Sequence, residues 1–314
     1  MDVRRPIRRE TVPTPPPTIL GRYRLGESIA AGGMARVFAA RPLVDRGGAP
    51  KLVIKRMHPH LATNSRFVAM FVHEARVSAR LEHPNIVKVV DFEATDHGLY
   101  LVMEYVEGPD LLTVLKRCAE RGQPMPPTLA ALIISHVLEA LDYAHTTDDI
   151  IHRDVSPSNI LLSWRGRVKL ADFGIARAAD TWSEVEFASA AVGKYGYMSP
   201  EQLGGHKLDG RSDVFATAVV LAELLICRRV YTADSELELL SMISKADTWR
   251  FDAHSIRIPP ELRAICKKAL EFKPDDRYQT AGAFRDALID WLLRSPVRTS
   301  ATDLARYLGA LDLR

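Results

Sequence analysis

From Tyr23 to about Val106 the chain alternates short apolar runs with turn residues, which predicts a β-rich segment. The runs fall at Tyr23–Ile29, Arg36–Ala40, Lys51–Arg56, Ile86–Glu93 and Leu99–Glu104. A single stretch, 65–81, has helical spacing instead. Phe67, Met70, Phe71, Val77, Ser78 and Leu81 share one face there, and Glu74 falls on the same stripe. After Leu111 the period becomes helical, with helices expected at Thr128–His145, Asp213–Cys227, Ser235–Lys245, Pro260–Leu270 and Ala281–Leu293. Ser300 and Asp303 resemble a capping box and open a terminal helix to about Leu311. The pattern predicts an α+β, two-lobed fold: a small β-rich lobe at about 23–104 and a larger helical lobe at about 109–293. The join is expected at Glu104–Gly108, with a helical extension over 294–314.

Residues 1–22 show no period, and the first twenty hold Arg4, Arg5, Arg8, Arg9 and a Pro-rich run, so they read as an extended or disordered tail. The formal charge of +3 over 314 residues gives no argument for nucleic-acid binding. Cys118, Cys227 and Cys266 lack metal-ligand spacing and read as reduced thiols. The longest apolar run, Ala216 to Cys227, is too short to span a bilayer and contains Glu223. A cytoplasmic location without a transmembrane segment is the expectation.

Candidate chemistry begins at Ile29-Ala30-Ala31-Gly32-Gly33-Met34-Ala35-Arg36-Val37. Small residues between two β-runs let a hairpin backbone approach phosphates closely. Lys55 closes the apolar run Leu52-Val53-Ile54. A carboxylate on a buried helical stripe needs a partner, and Lys55 is the available cation upstream, so Glu74 is expected to pair with Lys55. The densest signal is His152-Arg153-Asp154-Val155-Ser156-Pro157-Ser158-Asn159 followed by Asp172-Phe173-Gly174. Asp154 can accept a hydrogen bond from a substrate hydroxyl, whereas Asn159 and Asp172 offer hard oxygen ligands for Mg²⁺. Between them, Ile160–Leu162 and Val168–Leu170 read as a hairpin that brings the two ligands together.

In these motifs the sequence resembles the Hanks-type protein kinases, and within them the bacterial serine/threonine branch, over about residues 23–293. The resemblance implies ATP with Mg²⁺, or Mn²⁺ in its place, and protein substrates. It casts Met103 as gatekeeper, Glu104-Tyr105-Val106 as the adenine-binding hinge and Asp110 as the ribose contact. Val37, Val53 and Leu161 would sandwich the adenine. By the same resemblance Asp213 braces the catalytic loop, and Arg277 pairs with Glu201 of Ser199-Pro200-Glu201. Phosphorylation is expected between Gly174 and Ser199, where Thr181, Ser183 and Ser189 supply hydroxyls and Arg153 and Arg177 a basic pocket.

The chain departs from the family pattern at several points. Ala30 and Ala35 replace the outer glycines of the phosphate loop. Ser156 stands where the serine/threonine branch carries a lysine, and Lys194 where it carries a threonine. No arginine stands at Ser156 or Ser158, so the tyrosine-kinase loop pattern is absent too. Lys194 is proposed to supply the displaced cation. The alternatives are an ATP-binding or scaffolding module without turnover, and a small-molecule kinase of similar fold.

Overall fold

The computed structural model describes residues 19–44, 50–95, 98–173 and 195–313. The first lobe is a six-stranded antiparallel sheet in the order β1-β2-β3-β4-β6-β5. Its strands are β1 (Ile19–Leu20), β2 (Tyr23–Ala31), β3 (Ala35–Pro42), β4 (Leu52–Met57), β5 (Val89–Thr95) and β6 (Gly98–Glu104). A strand at Ile19–Leu20 thus precedes Tyr23. Leu20 is buried beside Tyr23, Leu25, Ile54 and Tyr100 on one face of the sheet, which anchors a strand too short to show a period. On the opposite face helix α1 (Ser65–Arg80) packs Phe71 and Ala75 against Met57, Leu101 and Met103. Asn64 starts that helix by accepting the backbone N–H of Arg66.

The second lobe is helical: α2 (Leu111–Arg121), α3 (Pro127–Asp148), α4 (Pro200–Leu203), α5 (Gly210–Ile226), α6 (Glu236–Ser244), α7 (Trp249–His254), α8 (Pro260–Ala269), α9 (Ala281–Arg294) and α10 (Ala301–Gly309). α2, α4 and α7 were not singled out by the sequence pattern. α5 is buried on all sides and forms the centre of a core shared with α3, α8 and α9. Among the described residues no helix is long and apolar enough to cross a membrane.

A small hairpin of β7 (Ile160–Leu162) and β8 (Val168–Leu170) lies on this lobe, paired as expected. Its edge is bonded to the segment joining the lobes, with Leu162 N–H donating to Pro109 O and Trp164 N–H to Glu107 O, both at 2.9 Å. A Cβ at Gly108 would fall 2.0 Å from Leu162 O, so this close approach requires glycine. The expected capping box at Ser300 and Asp303 is present, and α10 buries Leu304 and Leu308. Arg121 of α2 donates to Ala310 O and Leu311 O, satisfying carbonyls that the end of α10 leaves open.

Candidate active site

Strand register sets the first half of the site. Lys55 on β4 lies opposite Val37 on β3 and Leu101 on β6, and Val53 lies opposite Met103. Directly paired and alternate residues share a face, so Val37, Val53, Lys55 and Met103 point the same way. Val53, Met103, Val106, Leu161 and Ala171 join one apolar cluster there, a slot of the character an adenine ring needs. Ala35 is buried in the same cluster, which accounts for a methyl group where the family pattern has glycine.

Lys55 is only 7% exposed, and Glu74 only 1%. The Lys55 Nζ donates to Glu74 Oε1 at 2.6 Å and to Asp172 Oδ1 at 2.9 Å. Burial opposes a charge on Lys55, but Asp172 and Glu74 outweigh it and hold the ammonium well above its ordinary range. Burial pushes the Glu74 carboxyl up to about 7, with Lys55 pulling against it. The Lys55–Glu74 pair inferred from the helical stripe is therefore formed, and Asp172 joins it.

The second half is a loop held from below. His152 is fully buried, and the backbone N–H groups of His152 and Arg153 donate to Asp213 Oδ2 and Oδ1, each at 2.8 Å. Burial alone would raise the Asp213 carboxyl. The hydrogen bond from His145 Nε2 at 2.8 Å, with these amides, holds it below its ordinary value. His152 Nδ1 accepts from the Asp154 N–H, so Nε2 carries the proton and donates to Ala171 O at 3.0 Å. Arg153 and Asp172 both adopt positive φ, 65° and 62°, conformations maintained by this bonding.

Asn159 donates from Nδ2 to Asp154 O at 2.8 Å and to Asp154 Oδ2 at 3.0 Å, which leaves its amide oxygen for a cation. The Ala171 N–H donates to Asn159 O at 2.8 Å, so Asn159 and Asp172 meet at the open end of the hairpin. One carboxylate and one amide fit a cation that completes its octahedron with phosphate oxygens and water. Among the described residues no three His, Cys, Asp or Glu side chains converge on a metal position. The donor set, one carboxylate and one amide oxygen, suits Mg²⁺.

Asp110, expected at the ribose, has a local role: its Oδ1 accepts the Thr113 N–H at 2.7 Å and caps α2. Glu104 is also engaged by its side chain, which binds Lys169 Nζ at 2.6 Å. The Ser156 hydroxyl is buried and lies 3.1 Å from Ser158 Oγ. Lys194, Arg177, Thr181, Ser183 and Ser189 lie outside the described residues. Arg277 and Glu201 are joined as expected, at 2.7 and 2.9 Å through two nitrogens and two oxygens.

Three contacts were not read from the sequence. Gln202 Nε2 donates to Arg153 O at 2.9 Å, tying α4 to the catalytic loop. His145 reaches Asp213 from α3. Glu223 is buried and accepts from Tyr197 Oη at 2.7 Å and from the Val230 N–H at 3.1 Å. The presence of Glu223 in an apolar helix was the only sequence signal for the last of these.

Residues 23–289 match the family model for the protein kinase domain. Tyrosine-protein kinase MasK of Myxococcus xanthus is 37% identical over 295 residues, which cover 92% of this chain and 46% of that protein. Serine/threonine-protein kinase PknB of Mycolicibacterium smegmatis is 39% identical over 282 residues, covering 88% of this chain and 44% of that protein. The chain thus spans less than half the length of these curated relatives. The crystal structure of the Mycobacterium tuberculosis PknI kinase domain superposes with a TM-score of 0.64 at 27% identity, covering 87% of this chain and 97% of that one. A bonded Lys55–Glu74–Asp172 set, a braced catalytic loop and a match over most of the length agree, and the chain belongs to the protein kinase family.

Proposed function

We propose that this kinase domain transfers the γ-phosphoryl group of Mg-ATP to serine or threonine hydroxyls of protein substrates. The observation that carries the reading is Lys55 bonded to both Glu74 and Asp172, next to an Asn159 that is itself bonded to Asp154. Val37, Val53, Met103, Val106 and Leu161 take the adenine, and the loop from Ile29 to Val37 covers the phosphates. Lys55 holds the α- and β-phosphates. Mg²⁺, when bound, neutralises charge on the phosphate oxygens; Asn159 and Asp172 would hold it. Asp154, fixed by Asn159, orients the attacking hydroxyl and accepts its proton. Catalysis here is positioning and charge stabilisation rather than covalent chemistry. Lys194 supplies the cation that Ser156 does not, with Ser156 leaving room for it.

Serine/threonine specificity is supported by relatives such as PknB and by the lack of arginine at Ser156 and Ser158. A second reading, transfer to tyrosine, is favoured by the name of the MasK relative. Labelled Mg-ATP, a mixed protein substrate and phosphoamino-acid analysis decide between them, with Asp154→Asn as control. Phosphoserine or phosphothreonine is expected, and phosphotyrosine alone would reassign the acceptor. ATP binding without any transfer would make this an ATP-binding module.

A further inference from the structure

The phosphate loop is held from outside by a residue that no pattern singled out. The Gly32 N–H donates to Ala35 O at 2.9 Å and closes a tight turn around Gly33 and Met34. His58 follows directly after β4. Its backbone N–H donates to Met34 O at 3.0 Å, and its ring Nε2 lies 2.8 Å from Gly32 O. A carbonyl oxygen only accepts, so Nε2 carries the proton and donates. The His60 ring stacks on His58, centroids 5.4 Å apart and planes 17° from parallel, which steadies the imidazole.

The direction of this contact matters. Met57 is buried in the cluster that holds Val53 and Leu161, and Lys55 lies two residues earlier on the same side. Alternation along the strand then puts His58 on the side away from the cleft. The C=O and N–H of one trans peptide point in opposite directions. A Gly32 carbonyl drawn toward His58 therefore turns the Gly33 N–H toward the Lys55 side. Without that bond the Gly32–Gly33 peptide is free to rotate, because neither residue has a Cβ to restrict it. The rotated form would present a carbonyl oxygen to phosphate oxygens.

We propose that His58 is a positioning residue for the triphosphate. It fixes the Gly32–Gly33 peptide so that an N–H group, not a carbonyl, faces the phosphates. The proposal rests on the ATP reading above. Its test is equilibrium binding of Mg-ATP and of adenosine to the full chain and to the variants His58→Ala and His58→Gln. His58→Ala should weaken Mg-ATP about five- to tenfold, the worth of one hydrogen bond, and leave adenosine unchanged. His58→Gln, whose amide can donate to the same carbonyl, should restore most of the loss. A parallel loss for adenosine would mean a general loosening of the lobe, and would overturn the proposal. So would unchanged Mg-ATP affinity in His58→Ala, or a glutamine that restores nothing. A wild-type chain that binds no Mg-ATP would overturn the ATP reading and this proposal together.

Discussion

Replacing Glu74 by glutamine should separate activity from stability. Glu74 is 1% exposed, and its Oε2 has no hydrogen-bond partner among the described residues. Burial raises its carboxyl from 4.5 to about 7, which corresponds to about 3 kcal/mol against the ionised form. A carboxyl raised on folding contributes stability that is full below about 4.5 and lost as pH rises through about 7. Glutamine has nearly the same shape and does not ionise, so the variant escapes that loss. Lys55 keeps Asp172 at 2.9 Å and is not stranded. The melting temperature at pH 8 should therefore stay level or rise. Activity should respond the other way. With Glu74 neutral, Asp172 is the remaining carboxylate for the ammonium, and Lys55 is drawn off the phosphates toward the residue that must hold the cation. The kcat should fall on the order of a hundredfold, as on losing one charge-stabilising donor. Steady-state kinetics and thermal melts on the same preparation check both halves. Retained kcat would refute the positioning role. A melting temperature lower by about 6 °C or more would show that the pair carries stability instead.

Arg277→Met should cost about 3–5 kcal/mol in urea unfolding, because it leaves the half-buried Glu201 without its bidentate partner. Asp213 and Glu201 are both held below their ordinary values despite burial, which alone would raise them. Such groups contribute stability above the unfolded carboxylate range, and it is lost as pH falls through their lower folded values. Urea midpoints should accordingly fall steeply below about pH 4, and less steeply in Asp213→Asn. Lys194→Ala should lower kcat on the order of a hundredfold, and Ser156→Lys combined with Lys194→Thr should recover much of it; full kcat in Lys194→Ala would end the exchange idea.

What the sequence revealed followed the range of the signal. Glu74 was legible because a carboxylate on an apolar helical stripe contradicts its surroundings, and a partner such as the Lys55 ammonium resolves that. The β7–β8 hairpin was legible because Ile160-Leu161-Leu162 and Val168-Lys169-Leu170 flank a turn at Trp164–Gly166. By contrast, α2 was passed over although Asp110 and Gly122 are ordinary cap residues, the latter at φ 62°. Ile19–Leu20 has no period to read; it pairs with β2, and Leu20 is buried in one cluster with Tyr23 and Tyr100. His145 and Gln202 carry no local signal. Their roles come from partners 68 and 49 residues away.

The same bonds explain how the two halves of the site are kept in register. From the helical lobe, Arg277 holds Glu201, Gln202 holds the Arg153 carbonyl, and Asp213 holds the His152 and Arg153 amides. His152 then reaches Ala171, the neighbour of Asp172, which is bonded to Lys55 of the sheet. Most of these links involve buried groups, where an unmade bond is costly. The segment before β5 is fastened to β8 in parallel: the Val87 N–H donates to Leu170 O at 2.9 Å, the Leu170 N–H to Asn85 O at 2.7 Å, and Lys169 to Ile86 O at 2.9 Å. Strand β8 is thus tied to both lobes, and it leads directly to Asp172. If the sheet shifts against the helices, β8 is where such a movement is expected to turn, and both Asp172 and the Lys55 bonded to it lie beside that seam. On the proposed function, the residue that would hold the cation thus stands at the seam between the lobes, bonded to the lysine that would hold the phosphates.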